Sequence, residues 1–335
     1  MLAINALSRV LMALVTLFGV AVIVFVLLRV VPGDPIAMMI APGASPEDVE
    51  ALRARYGLDR SIPVQFAIWL GGVLSGDFGV SISLRRNVLT LLAERLPATL
   101  ELAIAALSVA ALFGGAIAVA GTLARRSVLG AAIDGFNGIM LAIPDFVWAL
   151  ALVLGLGVMV PLFPLTGRID PTATDGFVTR FYLVESFLTL RFHVFADVAS
   201  HMVMPTLALA LPLAAIIARV LKDALVEAMG ADYILLARLK GMSEPRLVLQ
   251  EALRNAVGPT LALTGVQFTF LIGGTVIVER IFAYPGIGNM AIDAVINRDL
   301  PLIQGLVLMF GLLFIGVNIA VDLTVAAFNP RLRHG

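Results

Sequence analysis

Six apolar stretches, each close to or longer than the roughly 20 residues that a helix needs to cross a bilayer, govern what this chain can become. They lie at about 10–31, 98–122, 132–160, 201–221, 257–278 and 302–326. Read as helices, they predict an all-α integral membrane protein with six transmembrane helices. The chain is 60% hydrophobic and only 14% charged, against about a quarter charged in an ordinary soluble domain. That apolar excess is too large for one soluble core, so much of it must face lipid. The first stretch runs from Val10 to Val31 and is followed by Pro32-Gly33-Asp34-Pro35, not by a small-x-small cleavage site. It reads as a permanent anchor rather than a removed signal peptide.

Basic residues in short connections set the expected orientation. Arg125 and Arg126 follow the second stretch, and Arg219, Lys222, Arg238, Lys240, Arg246 and Arg254 surround the link between the fourth and fifth. Arg331 and Arg333 end the chain. These segments alternate consistently with a cytoplasmic N-terminus, and six spans then put both termini in the cytoplasm. The expected division is an N-terminal membrane helix (1–31), an extracytoplasmic loop with amphipathic helices (32–97), a five-helix transmembrane core (98–326) containing a cytoplasmic loop (223–256), and a cytoplasmic tail (327–335). In the first loop, Ser45-Pro46-Glu47-Asp48 reads as a helix start that Gly57 would end. Residues 63–74 are apolar but too short to span, and are expected at the outer interface with Trp69 at headgroup level. Gly76-Asp77-Phe78-Gly79 reads as a turn. Residues 161–200, opened by Pro161, Pro164, Gly167 and Pro171, read as a second outer loop.

Composition and motifs exclude most chemistry. Net charge is zero, which argues against nucleic acid as a partner. There is no cysteine, hence no disulfide, iron–sulfur or thiol chemistry. His193, His201 and His334 have no metal-ligand spacing. No GxxxxGK[ST], HExxH or GxSxG occurs. The expectation is a non-catalytic chain that binds no cofactor or metal. Any ATP-driven work must draw on other chains.

The cytoplasmic loop carries the main signal. Asp232 can cap a short helix from Tyr233 to Lys240, and Gly241 suits the left-handed position that closes such a helix. Ser243-Glu244-Pro245 then starts a second helix running toward the fifth span. The first helix is too short to stand alone. It mixes Tyr233, Leu235, Leu236 and Leu239 with Arg238 and Lys240, making an apolar and basic knob that a peripheral partner can grip.

DYILLARLKG followed by EALRNAVGP resembles the "EAA" coupling loop of ABC importer permeases, in the form of the dipeptide, oligopeptide and nickel permease branch. RVVPGDP (29–35), YGLDRSIPVQF (56–66), GDFGVS (76–81), LPATLEL (96–102), VERIFAYPGIGNM (278–290), INRDLPLIQG (296–305) and DLTVAAFNPRLR (322–333) extend the resemblance nearly end to end. One departure stands out: Leu235 and Leu236 occupy the first two positions of the loop consensus, and only Ala237 and Gly241 hold theirs. The later part is also altered, with Glu251 and Arg254 at two of its places. The resemblance implies a type I ABC importer permease in the cell's inner membrane. It further implies a second homologous permease subunit, two ATP-binding subunits that hold ATP-Mg, and a solute-binding protein. Asp232, Tyr233, Ala237, Arg238, Lys240 and Gly241 would couple to the ATPase, with Ala237 and Gly241 allowing close approach and Arg238 and Lys240 anchoring it.

Within the spans, Asp145 follows Pro144 near the middle of the third stretch, where the proline frees a backbone carbonyl and can bend the helix. An ionisable group at that depth is a functional candidate by default, so the pair can line a translocation path. The plainer alternative is an aspartate hydrogen-bonded to a neighbouring helix. Gly114, Gly115 and Gly121 suit close helix packing. The other class open to such a sequence is an ion-gradient-driven secondary carrier, which calls for inverted repeats and broken, charged helices at midplane. No clear repeat is visible.

Overall fold

The computed structural model describes residues 2–30, 59–173 and 176–328, with positions 45, 47 and 50 besides. Of the helix expected to start at Ser45-Pro46 and stop at Gly57, only positions 45, 47 and 50 are described, the last two as helical; the rest of it and the tail 329–335 lie outside the described residues. The helices are α1 (Leu2–Val30), α2 (Ile62–Leu74), α3 (Val88–Leu123), α4 (Val128–Ala142) and α5 (Asp145–Leu152, prolonged by a π-helical turn to Met159). They continue with α6 (Tyr182–Leu188), α7 (Phe192–Met229), α8 (Asp232–Leu239), α9 (Leu253–Ile281), α10 (Ile287–Ile296) and α11 (Leu300–Phe328). Among the described residues, five helices are long and apolar enough to cross a membrane, and a sixth crossing is made when the bent pair α4 and α5 counts as one span.

That pair divides the expected third span at Pro144, the residue able to bend it. The chain turns by 100° between Ala142 and Asp145. Pro144 supplies no N–H, and its ring pushes the preceding residue out of the helical region. Ile143 accordingly sits at φ −92°, ψ 120°, and Pro144 at ψ 154°. The fourth span also exceeds its expected limits. α7 begins at Phe192, and α6 precedes it, so the end of the expected 161–200 loop is helical.

The chain forms two compact units. One comprises residues 1–96 and 290–316. Here α2 packs along α1: Phe66 meets Phe18 and Phe25 edge-on at 5.9 and 5.3 Å, and Trp69 lies 5.4 Å from Phe25. Trp69 is therefore half-buried against α1. Arg29 Nε donates to Gln65 Oε1 at 3.0 Å and lies over the Phe25 ring. Asp299, fully buried, accepts from Ser81 Oγ (2.6 Å), Ser83 Oγ (2.7 Å) and Ser83 N–H (2.9 Å). Burial works against its charge, but these three donors outweigh that and hold the carboxyl below the usual aspartate range.

The other unit comprises residues 97–289 and 317–335. Ala98, Leu102, Ala106 and Ala110, one helical turn apart, put a row of small and apolar side chains from α3 into the larger of two cores. Met202, Leu209 and Leu213 of α7 fill it. Gly114 lies where a Cβ would strike the Ala214 backbone, so two helices approach as closely as the sequence suggested. Lys222 and Asp134 pair at 2.5 Å between α7 and α4. A second core gathers Leu221, Leu225 and Met229 with Ile234, Leu247 and Val248.

Candidate coupling site

The knob consists of α8 and the segment that joins it to α9. Ala231, not Asp232, is the N-cap, and no side chain caps the helix. Asp232 is instead the first helical residue, where its charge complements the dipole. At the other end, Lys240 is the C-cap and Gly241 sits at φ 86°, as expected of the left-handed closing position. Gly241 N–H donates to Arg238 O (3.0 Å), and Met242 N–H donates to Ala237 O (3.2 Å). This pair of bonds is the Schellman closure, with Met242 and Ala237 both packed against the second core. Ile234 is fully buried there and is the knob's anchor. Leu235, Leu236 and Leu239 remain exposed, Leu239 at 78%.

Ser243 starts the next helix with extended geometry but no side-chain cap bond. A short turn (Glu244–Arg246) and a π-helical segment (Leu247–Ala252) lead without a gap into α9. Two side-chain links tie α8 to this continuation. Asn255 Nδ2 donates to Tyr233 Oη at 3.0 Å. Arg238 meets Glu244 in a two-point contact, Nε to Oε1 at 2.7 Å and Nη2 to Oε2 at 3.2 Å. Between the segments lies a groove of about 450 Å³, lined by Tyr233, Leu236, Ala237, Lys240, Arg246 and Glu251 among others. All six residues singled out in the sequence thus belong to one small structure, but Arg238, at its surface, is paired with Glu244.

Pro144 and Asp145 lie elsewhere in the same unit. Asp145 heads α5 and accepts from Phe146 N–H at 2.7 Å. Its Oδ2 lies 2.9 Å from where a Cβ on Gly274 would stand, so α9 leaves room for the carboxylate by having no side chain there.

Sequence reasoning passed over the site at the far end of α9. Glu279 is fully buried. It accepts from Thr99 Oγ1 (2.6 Å) and Asn289 N–H (2.9 Å), while Thr99 Oγ1 in turn accepts from Ile287 N–H (2.9 Å). No cation pairs with it among the described residues. A Cβ on Gly286 would run into the carboxylate, and one on Gly288 would meet the Val276 backbone. The signal was present: LPATLEL and VERIFAYPGIGNM each contribute to this node. Tyr284 is also fully buried, which pushes its hydroxyl above the ordinary tyrosine value. Nearby, Arg168 and Glu101 form a buried pair at 2.5 Å, with Arg168 stacked over Tyr182.

Membrane-length helices, one of them broken at a proline, together with an exposed apolar knob, define a polytopic membrane protein. Its sequence says which kind. The family described as binding-protein-dependent transport system inner membrane component matches residues 110–334, and the N-terminal model of such membrane components matches residues 2–103. The chain belongs to this family and is an inner-membrane permease subunit of an ABC importer. It is 36% identical over 321 residues to the di/tripeptide transport system permease protein DppB of Pseudomonas aeruginosa (strain UCBPP-PA14), covering 95% of each chain. It is 34% identical over 328 residues to the dipeptide transport system permease protein DppB of Escherichia coli (strain K12), again with 95% of each covered. It is also 34% identical over 333 residues to the glutathione transport system permease protein GsiC of Salmonella choleraesuis (strain SC-B67), with 98% of each covered. The inward-facing MetNI methionine ABC transporter shares the fold: TM-score 0.54 at 16% identity, covering 72% of this chain and 97% of that one. These relatives are subunits of ABC systems, not ion-gradient carriers.

Proposed function

We propose that this chain forms half of the translocation pathway of a short-peptide importer and receives its driving motion through the knob at Asp232–Gly241. The relatives named above serve dipeptides, tripeptides and glutathione, all short peptides, and that supports a short peptide as the cargo. A second, related permease completes the pathway. Two ATP-binding subunits hold ATP-Mg and hydrolyse it, and a solute-binding protein delivers the peptide. This chain contributes no catalysis of its own. Both termini lie on the ATPase side, in keeping with the basic residues of the short connections.

The observation that carries this reading is the combination of a buried anchor and an exposed grip on one eight-residue helix. Ile234 and the Gly241 closure fix the knob to the spans, while Leu235, Leu236 and Leu239 stand in solvent. A ligand or partner shifts a conformational equilibrium only through contacts that differ between states, so a lever has to be rigid to transmit such a difference. At the break before α5, Pro144 and Asp145 supply a polar kink beside Gly274, suited to lining a path that opens and closes. Purification of the chain together with the products of its neighbouring genes tests the assembly. ATPase subunits and a second permease should remain bound. A chain that purifies alone from such an expression would refute it.

A further inference from the structure

The sequence marks Arg238 as a partner contact, yet in the folded chain its guanidinium is engaged with Glu244 across the Gly241 break. We propose that Arg238 and Glu244 form an internal clasp that sets the angle between α8 and the helix entering α9, and that the cations offered to the ATPase are Lys240 and Arg246. Arg238 is then a positioning residue, not an anchor. This rests on the coupling role proposed above.

Several observations converge. The contact is two-pointed, the geometry in which arginine and carboxylate bind most specifically. It spans the single left-handed residue between the two helices, where backbone rotation would swing α8 most. A second link, from Asn255 to Tyr233, ties the start of α8 to α9. Lys240 and Arg246 rim the groove, and neither has an ion-pair partner among the described residues. With Glu251 as the one acid in the lining, the groove carries a net positive charge over the apolar floor of Leu236, Ala237 and Met242. A carboxylate with an apolar neighbour, carried on the ATPase surface, fits it.

The absence of native cysteine allows a direct test. Spin labels on L235C and L249C, two exposed positions flanking the clasp, report the distance between the two segments in the full chain with its partner permease in nanodiscs. The unaltered clasp should give one narrow distance distribution. R238E and E244R should each broaden it about twofold, and the R238E/E244R charge swap should restore it, an effect of the size an exposed pair commands. In the complex with ATPase subunits, R238E should lower binding-protein-stimulated ATP hydrolysis about threefold, with recovery in the swap, while K240E should weaken ATPase association about tenfold. A swap no better than R238E alone in the spin-label measurement would overturn the clasp. If the distances behave as expected but K240E leaves ATPase association at the unaltered level, the assignment of Lys240 falls. If the unaltered complex retains no ATPase, the coupling reading falls instead, and the distance data still decide the clasp.

Discussion

The two ends of α9 solve opposite problems. At its start, the knob leaves its largest side chains in solvent and is held by one buried isoleucine, a glycine closure and polar links at the surface. At its end, about 40 Å away at roughly 1.5 Å per residue, Glu279 is sealed inside a cradle of glycines and backbone N–H groups. The first arrangement suits docking and release. The second suits permanence, because a buried carboxylate is tolerable only while every donor around it stays in place. A lever needs both: one end that can be gripped and one that does not give.

The sharpest way to break this contrast is at the buried end. Glu279→Ala removes the acceptor of Thr99 and Asn289 and leaves a void, and should cost about 3 kcal/mol, read as a lower melting temperature in detergent. Glu279→Gln keeps the shape and should cost less. Gly286→Ala forces a methyl into the carboxylate and should cost about 2 kcal/mol. At the docking end, Gly241→Pro fits neither the positive φ nor the bond to Arg238 O. It should reduce peptide uptake at least about tenfold with little loss of thermal stability, since only a short exposed helix is affected. Tyr233→Phe removes the bond from Asn255 and should cost about 0.5 kcal/mol, as expected of a partly exposed hydrogen bond.

The smallest effect concerns Asp299 in the other unit. Its folded pKa lies below the unfolded value of about 3.9. Its contribution to stability is therefore fully present above that value and is lost as pH falls through the folded pKa. Asp299→Asn should flatten the loss of stability below about pH 4, measured by acid unfolding.

Much of this was legible in the sequence because the signals are local. Apolar runs mark spans, Gly241 marks the end of α8, and Pro144 marks a possible bend. What escaped was long-range or depended on which neighbour wins a contact. Arg238 reads as a free cation until Glu244, six residues on, is found to hold it. Asp232 reads as a cap, yet Ala231 takes that place and leaves Asp232 inside the helix. Glu279, one residue past the fifth apolar stretch, carries no local signal. Only when Thr99, 180 residues earlier, folds against it does the glycine spacing of YPGIG acquire its reason. The 100° turn needed the whole fold, since proline alone often merely kinks a helix.

The central claim is that the Leu239 face of α8 meets the ATP-hydrolysing subunits. A single engineered cysteine at Leu239, in membranes containing the assembled transporter, tests it with a short bifunctional crosslinker. The account predicts a crosslinked product with an ATPase subunit from Leu239→Cys and none from Val295→Cys, an exposed position on α10. Crosslinking from Val295→Cys and none from Leu239→Cys would contradict it.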